Sequence, residues 1–354
     1  MTEAPSAPAP RRRERGRPPG EAPCYAALDL GTNNCRLLIA TPASGGFRIV
    51  DAYSRIVRLG EGLSQSGRLS DAAMERALSA LSICADKIKR RGAIKVKAIA
   101  TQACRSAENG AEFIARVTER TGLRLEIISP KEEARLAVAG CLNLLDRDTE
   151  AALVLDVGGG STELSWVDLA QAPERGKTPP IKAWVSIPIG VVTLAERFPE
   201  EDGGEAWFRS MVEAMKERIA AFEHAEPMRP IFERGGAHLV GTSGAITSLA
   251  GLHLRLAKYD RTKVDGLWMT RGQCEAVSNR LAALSQTDRA KEPCIGPDRA
   301  DLVLAGAAIL QAVQESWPCE RVRVADRGLR EGLLMSLMSD PKRRKRRRRR
   351  GSRG

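Results

Sequence analysis

Two glycine-rich loops contain residues whose types and spacing suit them to holding a phosphate chain. The first loop, residues 29–34, reads DLGTNN, and the second, residues 156–163, reads DVGGGSTE. Glycine allows a tight turn and a close backbone approach, so the amide groups of such loops can point at an anion. Asp29, Asp156 and Glu163 place carboxylates beside the turns, where they could ligate a cation. The loops therefore predict a phosphate site with Mg²⁺ or another divalent cation held by these three carboxylates.

The loops differ in how strongly they predict a ligand. The D-x-G-x-N pattern of residues 29–34 is also typical of ordinary hairpins, whereas the three consecutive glycines at residues 158–160 weaken a strand connection unless a ligand must approach closely. A third loop, residues 241–244, precedes a predicted helix whose first amides could face the same site, although a helix cap explains it equally well. The loop residues predicted to contact the substrate are Gly31, Thr32, Asn33, Asn34, Gly158, Gly159, Gly160, Ser161, Thr162, Gly241, Thr242, Ser243 and Gly244.

The elements that position these loops are predicted to occur twice. Apolar runs joined by glycine and asparagine turns predict three strands, then a helix over residues 70–90 and alternating strands and helices. The second half repeats this opening, with Asp156 placed 127 residues after Asp29. Alternating strands and helices are typical of an α/β fold, and the repeat predicts two such units. Residues 171–180 and 227–234 are predicted to be surface loops.

The net charge is concentrated at the two ends of the chain. The chain has 354 residues and a formal net charge of +12. Residues 342–350 are all basic and Arg353 adds another charge, while residues 1–22 contain five arginines and three glutamates, which leaves residues 23–341 neutral. We predict that residues 1–22 and 341–354 are disordered. Such segments could contact RNA or another polyanion through counterion release, or could be solvated extensions without a partner.

Several classes of protein are excluded by the same sequence. No run of 18 or more apolar residues is present, so no membrane span is predicted. The N-terminal residues lack the apolar segment of a secretory signal. The eight cysteines are scattered without a C-x-x-C motif, which disfavours a zinc site and a disulfide framework. We therefore expect a cytoplasmic protein.

Seven segments resemble one known family and occur in the same order. They are AALDLGTNNCRLLIA, TQACRSAENGAEFIARV, IISPKEEARLAVAG, LVLDVGGGSTELSWV, LVGTSGAITSLAGL, RADLVLAGAAIL and ADRGLREGLL. The chain thus resembles the Ppx/GppA family of exopolyphosphatases and guanosine pentaphosphate phosphohydrolases, within the actin, sugar-kinase and heat-shock-chaperone ATPase superfamily. The resemblance implies two ribonuclease-H-like α/β domains with an interdomain cleft. We assign residues 23–132, completed by 322–340, to the first domain and residues 133–321 to the second.

The resemblance also implies roles for residues outside the loops. Glu133 matches the general base that prepares the attacking water, and Arg105 matches an arginine that lines the cleft. We predict Glu133, Glu163 and Arg105 as the catalytic residues. Arg36 and Arg299 match positions that contact phosphate or guanosine phosphate, a role that suits the planar guanidinium fork. The family pattern Ser-Gly-x-Glu-Glu reads SPKEE here, and a proline is compatible with the start of a helix.

Three functional hypotheses follow. The first is hydrolysis of the terminal phosphoanhydride of inorganic polyphosphate, guanosine pentaphosphate or both, by a homodimer acting in the stringent response. The second is an ATP-dependent kinase or ATPase of the same superfamily. The third is a non-catalytic protein that binds an alarmone or RNA. The Glu132–Glu133 pair ahead of the second loop favours the first hypothesis.

Overall fold

The structure contains two β-sheets, each with its own core. It is a computed structural model that describes residues 22–171, 178–200 and 203–339. The smaller sheet has five strands in the order β3-β2-β1-β4-β5, and the larger has six in the order β10-β11-β9-β6-β7-β8. The strands of the smaller sheet are β1 Tyr25–Leu30, β2 Asn34–Ala43, β3 Gly46–Ile56, β4 Lys95–Ala100 and β5 Leu125–Ile127. Those of the larger sheet are β6 Ala151–Val157, β7 Thr162–Asp168, β8 Ile181–Ile187, β9 Ala237–Thr242, β10 Trp268–Thr270 and β11 Arg321–Ala325.

The two sheets repeat one topology. In the smaller sheet β1, β2 and β3 form an antiparallel meander, and β4 and β5 are added parallel to β1. In the larger sheet β6, β7 and β8 form the equivalent meander, and β9 and β11 are the parallel additions. The predicted repeat and the two-domain α/β fold are therefore confirmed. Among the described strands, the short edge strand β10 has no counterpart in the smaller sheet.

The helices cover both faces of each sheet. Those preceding β6 are α1 Leu63–Ser66, α2 Asp71–Arg90, α3 Gln102–Ser106, α4 Gly110–Thr121 and α5 Pro130–Cys141. Those following β8 are α6 Val191–Arg197, α7 Gly204–Ala220, α8 Arg229–Glu233, α9 Gly244–His253, α10 Arg261–Val264, α11 Arg271–Ala282, α12 Gln286–Arg289, α13 Val303–Ser316 and α14 Leu329–Ser339. Two 3₁₀ turns, Leu142–Leu144 and Glu226–Met228, complete the described elements. Within this part of the chain no helix is long and apolar enough to cross a membrane.

The predicted helix over residues 70–90 is confirmed. Ser70 caps α2, since its hydroxyl accepts a hydrogen bond from the amide of Ala73, which satisfies one free donor of the first turn. The small and apolar side chains that recur at helical spacing, including Ala77 and Leu81, are buried against the smaller sheet. The sequence pattern thus determined both the start of this helix and the face that it buries.

The two predicted surface loops differ in outcome from the predicted helix. Residues 227–234, predicted as a loop, form part of a 3₁₀ turn and then α8. Pro227 and Pro230 lie in the first turns of these elements, where the missing amide donor costs little, so the prolines begin structure here instead of preventing it. Of the predicted loop at residues 171–180, residues 172–177 lie outside the described part of the chain. The predictions of disorder for the two basic ends likewise fall outside it, apart from Ala22.

Helices α5 and α14 lie between the two sheets. Leu136 of α5 and Leu333 of α14 belong to the core beside the smaller sheet, while Val138 of α5 packs on the larger sheet. Strand β11 pairs with β9 in the larger sheet, so the division predicted at residues 321/322 falls within that strand. The segment that returns to the smaller sheet is α14.

The two interposed helices approach closely because glycines face the contact. A β-carbon on Gly332 would overlap the carbonyl oxygen of Leu136, and one on Gly140 would overlap that of Gly328. Since α5 carries Glu133, this contact fixes the depth of the proposed base between the sheets.

Candidate functional site

The two glycine-rich loops have the same turn geometry and face each other. The amide of Gly31 donates to the carbonyl of Asn34, and the amide of Gly158 donates to that of Ser161, both at 2.9 Å. A β-carbon on Gly159 would lie 3.0 Å from the backbone nitrogen of Asn33. The loops therefore approach so closely that any side chain at this glycine would separate them.

A cavity of about 430 Å³ opens between the loops. The predicted residues that line it are Asp29, Gly31, Thr32, Asn33, Asn34, Arg36, Glu133, Asp156, Gly158, Gly159, Gly160, Ser161, Glu163, Thr242, Ser243, Gly244 and Arg299. The structure therefore brings together residues from the first loop, the second loop, α5 and the segments that precede α9 and α13. These elements are far apart in the chain, so the cleft exists only in the folded protein.

Three predicted residues do not line the cavity. Thr162 lies between Ser161 and Glu163 on a strand, so its side chain points to the other face, where its hydroxyl donates to the carbonyl of Ile189 at 2.7 Å. Gly241 lies within β9 and faces Ile246. Both residues therefore contact the protein interior behind the cleft wall and do not line the cavity.

Arg105, the third of these residues, lies behind Glu133. Its guanidinium donates to Oε2 of Glu133 at 3.2 Å and to the carbonyl of Ile128 at 2.7 Å. A further bond to the side chain of Gln102 fixes its second terminal nitrogen. Arg105 therefore holds the Glu133 carboxylate in place in this state of the protein.

Four carboxylates at the floor of the cleft perturb one another. Glu133 is only 7% exposed, and burial, reinforced by the charges of Glu163, Asp156 and Asp29, raises the pKa of Glu133 to about 9, against the opposing effect of Arg105. Burial and the neighbouring carboxylates raise the pKa of Asp156 to about 8. The pKa values of Asp29 and Glu163 are also raised, chiefly by burial. Such a concentration of buried acid requires protons or a cation to offset its charge.

Comparison with known proteins identifies the family of the chain. A sequence model described as the Ppx/GppA phosphatase family matches residues 38–340. The chain belongs to this family. Its resemblance to that family, inferred above from seven segments, is confirmed.

Individual relatives show how far the likeness extends. A guanosine-5'-triphosphate,3'-diphosphate pyrophosphatase of Aeromonas hydrophila is 30% identical over 320 residues, which cover 90% of this chain and 60% of the relative. The solved structure of the Aquifex aeolicus Ppx/GppA family member is 30% identical, covers 90% of this chain and 98% of its own, and superimposes with a TM-score of 0.73. An exopolyphosphatase of Cytophaga hutchinsonii, at 23% identity and a TM-score of 0.76, shares the fold over 89% of this chain and 97% of its own. The chain thus spans about three fifths of the curated relative and nearly all of the solved structures.

The departure from the Ppx/GppA pattern at the start of α5 leaves the helix intact. Ser129 caps it by accepting a hydrogen bond from the amide of Glu132, and Pro130 occupies the first turn. Glu132 faces outward and pairs with Arg135. Glu133 points into the cleft, so the two adjacent glutamates have different environments.

The cleft wall of this Ppx/GppA family member contains arginines that could hold an anion. Among the described residues, no hydrogen bond or ion pair is made by the side chains of Arg36, Arg299 or Arg330. A β-carbon on Gly244 would lie 3.6 Å from Nη2 of Arg36 and 4.0 Å from Cζ of Arg299, so these two guanidinium groups converge at the start of α9. Burial lowers the pKa of Arg330. Unpaired and partly buried cations favour an anionic ligand.

Arg330 was not among the predicted site residues. It lies in the matched segment ADRGLREGLL, but a helical arginine gives no sign in the sequence of the direction in which it points. The neighbouring arginines differ from it because they are paired: Arg327 bonds Asp265, and Arg261 bonds Glu331. The two paired arginines thus form part of the cleft wall, while Arg330 remains available to a ligand.

The fit of a divalent cation depends on how many carboxylates are available. Within the described ranges no three His, Cys, Asp or Glu side chains converge closely enough to hold a metal ion by themselves. Glu163 already accepts a hydrogen bond from the hydroxyl of Ser186 at 2.7 Å, whereas the buried Oδ1 of Asp29 has no partner in the part of the chain that the structure describes. Mg²⁺ is commonly held by one or two carboxylates together with water and substrate phosphates. Asp29 and Asp156 fit that mode of binding.

Proposed function

We propose that this protein hydrolyses the terminal phosphoanhydride bond of inorganic polyphosphate, guanosine pentaphosphate or both. The observation that carries the proposal is the buried Glu133 carboxylate, held by Arg105 in the wall of a cleft between two glycine-rich loops. The names of the A. hydrophila and C. hutchinsonii relatives support the two substrates.

In the proposed reaction the loops bind the end of the phosphate chain and Glu133 activates water. Glu133 accepts a proton from a water molecule while the water oxygen bonds to the terminal phosphorus. The bond from that phosphorus to the bridging oxygen breaks, and the shortened chain leaves with the bonding electrons. The backbone amides of both loops stabilise the charge on the transferred phosphoryl group.

A divalent cation completes the proposed site. Asp29 and Asp156 would hold it, directly or through water, and Glu163 would orient the water around it. When bound, the ion neutralises charge on the phosphate oxygens. Its presence would also lower the pKa values of the four buried carboxylates, since an adjacent positive charge favours their ionised forms.

Replacement of Glu133 tests the assigned base. Glu133→Ala should reduce turnover by roughly 10²–10⁴-fold, the usual contribution of a general base, while binding of tripolyphosphate is retained. Glu132→Ala is the matched control, because that neighbour faces outward and pairs with Arg135. Turnover by Glu133→Ala equal to that of the control would contradict the assignment.

Side-by-side assays separate the three functional hypotheses. Phosphate release from polyphosphate, guanosine pentaphosphate and ATP with Mg²⁺ should be fast for at least one of the first two and slow for ATP. Release of ADP that depends on an acceptor would favour a kinase or ATPase. Binding of guanosine pentaphosphate without release of phosphate would favour a non-catalytic alarmone sensor.

The basic C-terminal segment is proposed to contact long polyanions. Deletion of residues 342–354 removes ten positive charges and should weaken binding of long polyphosphate or RNA in a salt-dependent manner. Hydrolysis of the small substrate guanosine pentaphosphate should not change. Equal binding of long chains with and without the segment would show that it has no such role. The proposed homodimer is tested by measuring the molar mass of the full chain in solution.

A further inference from the structure

The segment that follows β3, residues 57–64, contacts both domains away from the cleft. We call it the clasp segment. It leads from the smaller sheet into α1, and its contacts reach the first loop, the turn that carries Arg299, and α6. None of its residues was singled out by the sequence.

The clasp segment is bonded to the back of the first loop. The amides of Val57 and Arg58 donate to the carbonyl of Asn33 at 2.9 and 3.0 Å, and the amide of Gly60 donates to that of Thr32 at 2.9 Å. A β-carbon on Gly60 would overlap the methyl group of Thr32. These bonds engage the carbonyls of Thr32 and Asn33, and the planar trans peptide bond directs the amides of Asn33 and Asn34 to the opposite side.

The side chain of Arg58 crosses to the second domain. Its two terminal nitrogens bond the two carboxylate oxygens of Asp301 at 2.7 and 3.1 Å, and one of them also reaches the carbonyl of Asp298 at 3.3 Å. Arg299 lies between these two partners and projects into the cleft. A bidentate arginine–carboxylate pair fixes orientation as well as distance. Arg58 therefore holds both sides of the turn that presents Arg299.

A second connection runs from the clasp segment to the second loop. Glu196 of α6 accepts hydrogen bonds from the amide of Gly62 at 2.9 Å and from the hydroxyl of Ser64 at 2.6 Å. The first turn of α6 is in turn bonded to the second loop, since the amides of Val191 and Val192 donate to the carbonyls of Gly158 and Gly159. The two phosphate loops are thus joined by an unbroken series of hydrogen bonds outside the cleft.

The backbone of Arg58 is held in a costly conformation. Its φ angle is +46°, in the left-handed region that residues with a side chain seldom adopt. Arg76 bonds the carbonyls of both Val57 and Arg58 and maintains this conformation. A strained residue persists only where its surroundings determine it, and such residues concentrate at functional sites.

We propose that Arg58 is a positioning residue that sets the separation of the two phosphate loops and the direction of Arg299. This role rests on the proposed function, because Arg299 acts on the phosphate chain only if that chain is the substrate. Loss of the Arg58–Asp301 pair should let the domains separate and Arg299 swing away, while Glu133 and Arg105, which the clasp segment does not touch, keep their places.

The test compares Arg58→Met with Arg58→Lys and Asp301→Asn. Arg58→Met should raise KM roughly tenfold, because Arg299 no longer binds the phosphate chain, and should lower kcat by a smaller factor, because the separated loops also stabilise the transferred phosphoryl group less well. Arg58→Lys should recover part of the loss, because it keeps one charged donor. Arg58→Met combined with Asp301→Asn should be no worse than either alone, since both remove the same pair. Arg120→Met is the control, because one terminal nitrogen of Arg120 bonds both carboxylate oxygens of Glu75, and this arginine–carboxylate pair lies inside one domain.

A second readout is independent of hydrolysis. Spin labels at Glu112→Cys in α4 and Glu217→Cys in α7 report the distance between the domains, and the eight native cysteines are all buried. The distance distribution should be narrow in the otherwise unchanged protein, broad in Arg58→Met and narrow in Arg120→Met. Unchanged distances and KM in Arg58→Met would overturn the proposal, as would a fall in kcat and melting temperature at constant KM. Broadened distances in a chain that hydrolyses neither substrate would support the clasp and contradict the proposed function.

Discussion

Glu133 combines two properties that a general base in a phosphate cleft needs. Its carboxylate is buried beside other carboxylates, so its affinity for a proton is far above that of an exposed glutamate. Arg105 opposes this effect and restrains the side chain through a 3.2 Å contact. The strength of the base therefore depends on the balance between the acidic cluster and one arginine.

The pH dependence of turnover tests that balance. A base acts when deprotonated, so kcat should rise with pH through the pKa of Glu133, which burial and the neighbouring carboxylates raise and which a bound cation lowers again. Arg105→Met removes the charge that lowers this pKa and should shift the rising limb to higher pH. Glu132→Gln should leave the limb in place. A rising limb that stays at the same pH in Arg105→Met would contradict the role of Glu133 as the base.

Arg330 provides a second prediction at the level of a single residue. It lines the cleft and has no hydrogen-bond or ion-pair partner among the residues that the structure describes. A charge-assisted hydrogen bond from Arg330 to a substrate phosphate would contribute about 1.5–3 kcal/mol to binding. Arg330→Gln should therefore raise KM by roughly 10- to 100-fold, with a smaller change in kcat. Arg135→Gln is the control, since Arg135 is paired on the surface of α5. An unchanged KM in steady-state assays would show that Arg330 does not bind the substrate.

Among the elements, α5 and α14 do most to set the geometry of the cleft. α5 carries Glu133, α14 carries Arg330, and the two helices touch through Gly140 and Gly332. Both helices lie between the sheets, so a change in the distance between the helices also changes the position of Glu133 relative to Arg330. The contact also joins segments that are distant in the chain.

Substitution of Gly332 tests the importance of the helix contact. A methyl group there would overlap the backbone of α5, and such overpacking typically costs about 1–3 kcal/mol. Gly332→Ala should therefore lower the free energy of unfolding in denaturant titrations and reduce turnover. Gly272→Ala is the control, because Gly272 is exposed in α11 with open space around it. Equal stability of the two variants would mean that the helices can separate without cost.

For the whole molecule, the acidic floor of the cleft opposes stability. Without a bound cation, the folded protein holds protons on Glu133 and Asp156 up to about pH 9 and about pH 8, because burial and the neighbouring carboxylates raise their pKa values, while the unfolded chain releases these protons near the ordinary pKa values. The free energy of unfolding that these carboxyl groups contribute is fully present below their ordinary pKa values. It is lost as the pH rises toward their raised pKa values in the folded protein. The buried carboxylates thus suit the cleft to binding a cation, but they lower the free energy of unfolding of the protein.

Neutral replacements should reverse this loss. Glu133→Gln with Asp156→Asn should raise the melting temperature at pH 8, without metal or phosphate, by about 2 °C or more, the shift expected for roughly 1 kcal/mol. The difference should disappear near pH 4, where the native carboxyls are also protonated. Calorimetry at the two pH values measures it. A double variant less stable than the unsubstituted protein at pH 8 would contradict the predicted sign.

Local sequence patterns determined the elements and the two loops. Turn residues between apolar runs predicted the meanders, the spacing of small apolar residues predicted α2, and the repeat from Asp29 to Asp156 predicted the second domain. Such features could be read because backbone turns and amphipathic faces depend mainly on residues close together in the chain. Glu133 was identified only through the resemblance to a family, since a glutamate pair at a helix start is otherwise commonplace.

Tertiary structure alone decided which side chains meet. Strand alternation turned Thr162 away from the cleft, pairing placed β11 in the larger sheet, and packing left Arg330 unpaired beside Asp29. Arg58 reaches Asp301 across 243 positions of sequence, a contact that no local pattern encodes. The direction of a side chain and the identity of its distant partner depend on how whole elements pack, so the loops could be predicted from the sequence but the clasp that joins them could not.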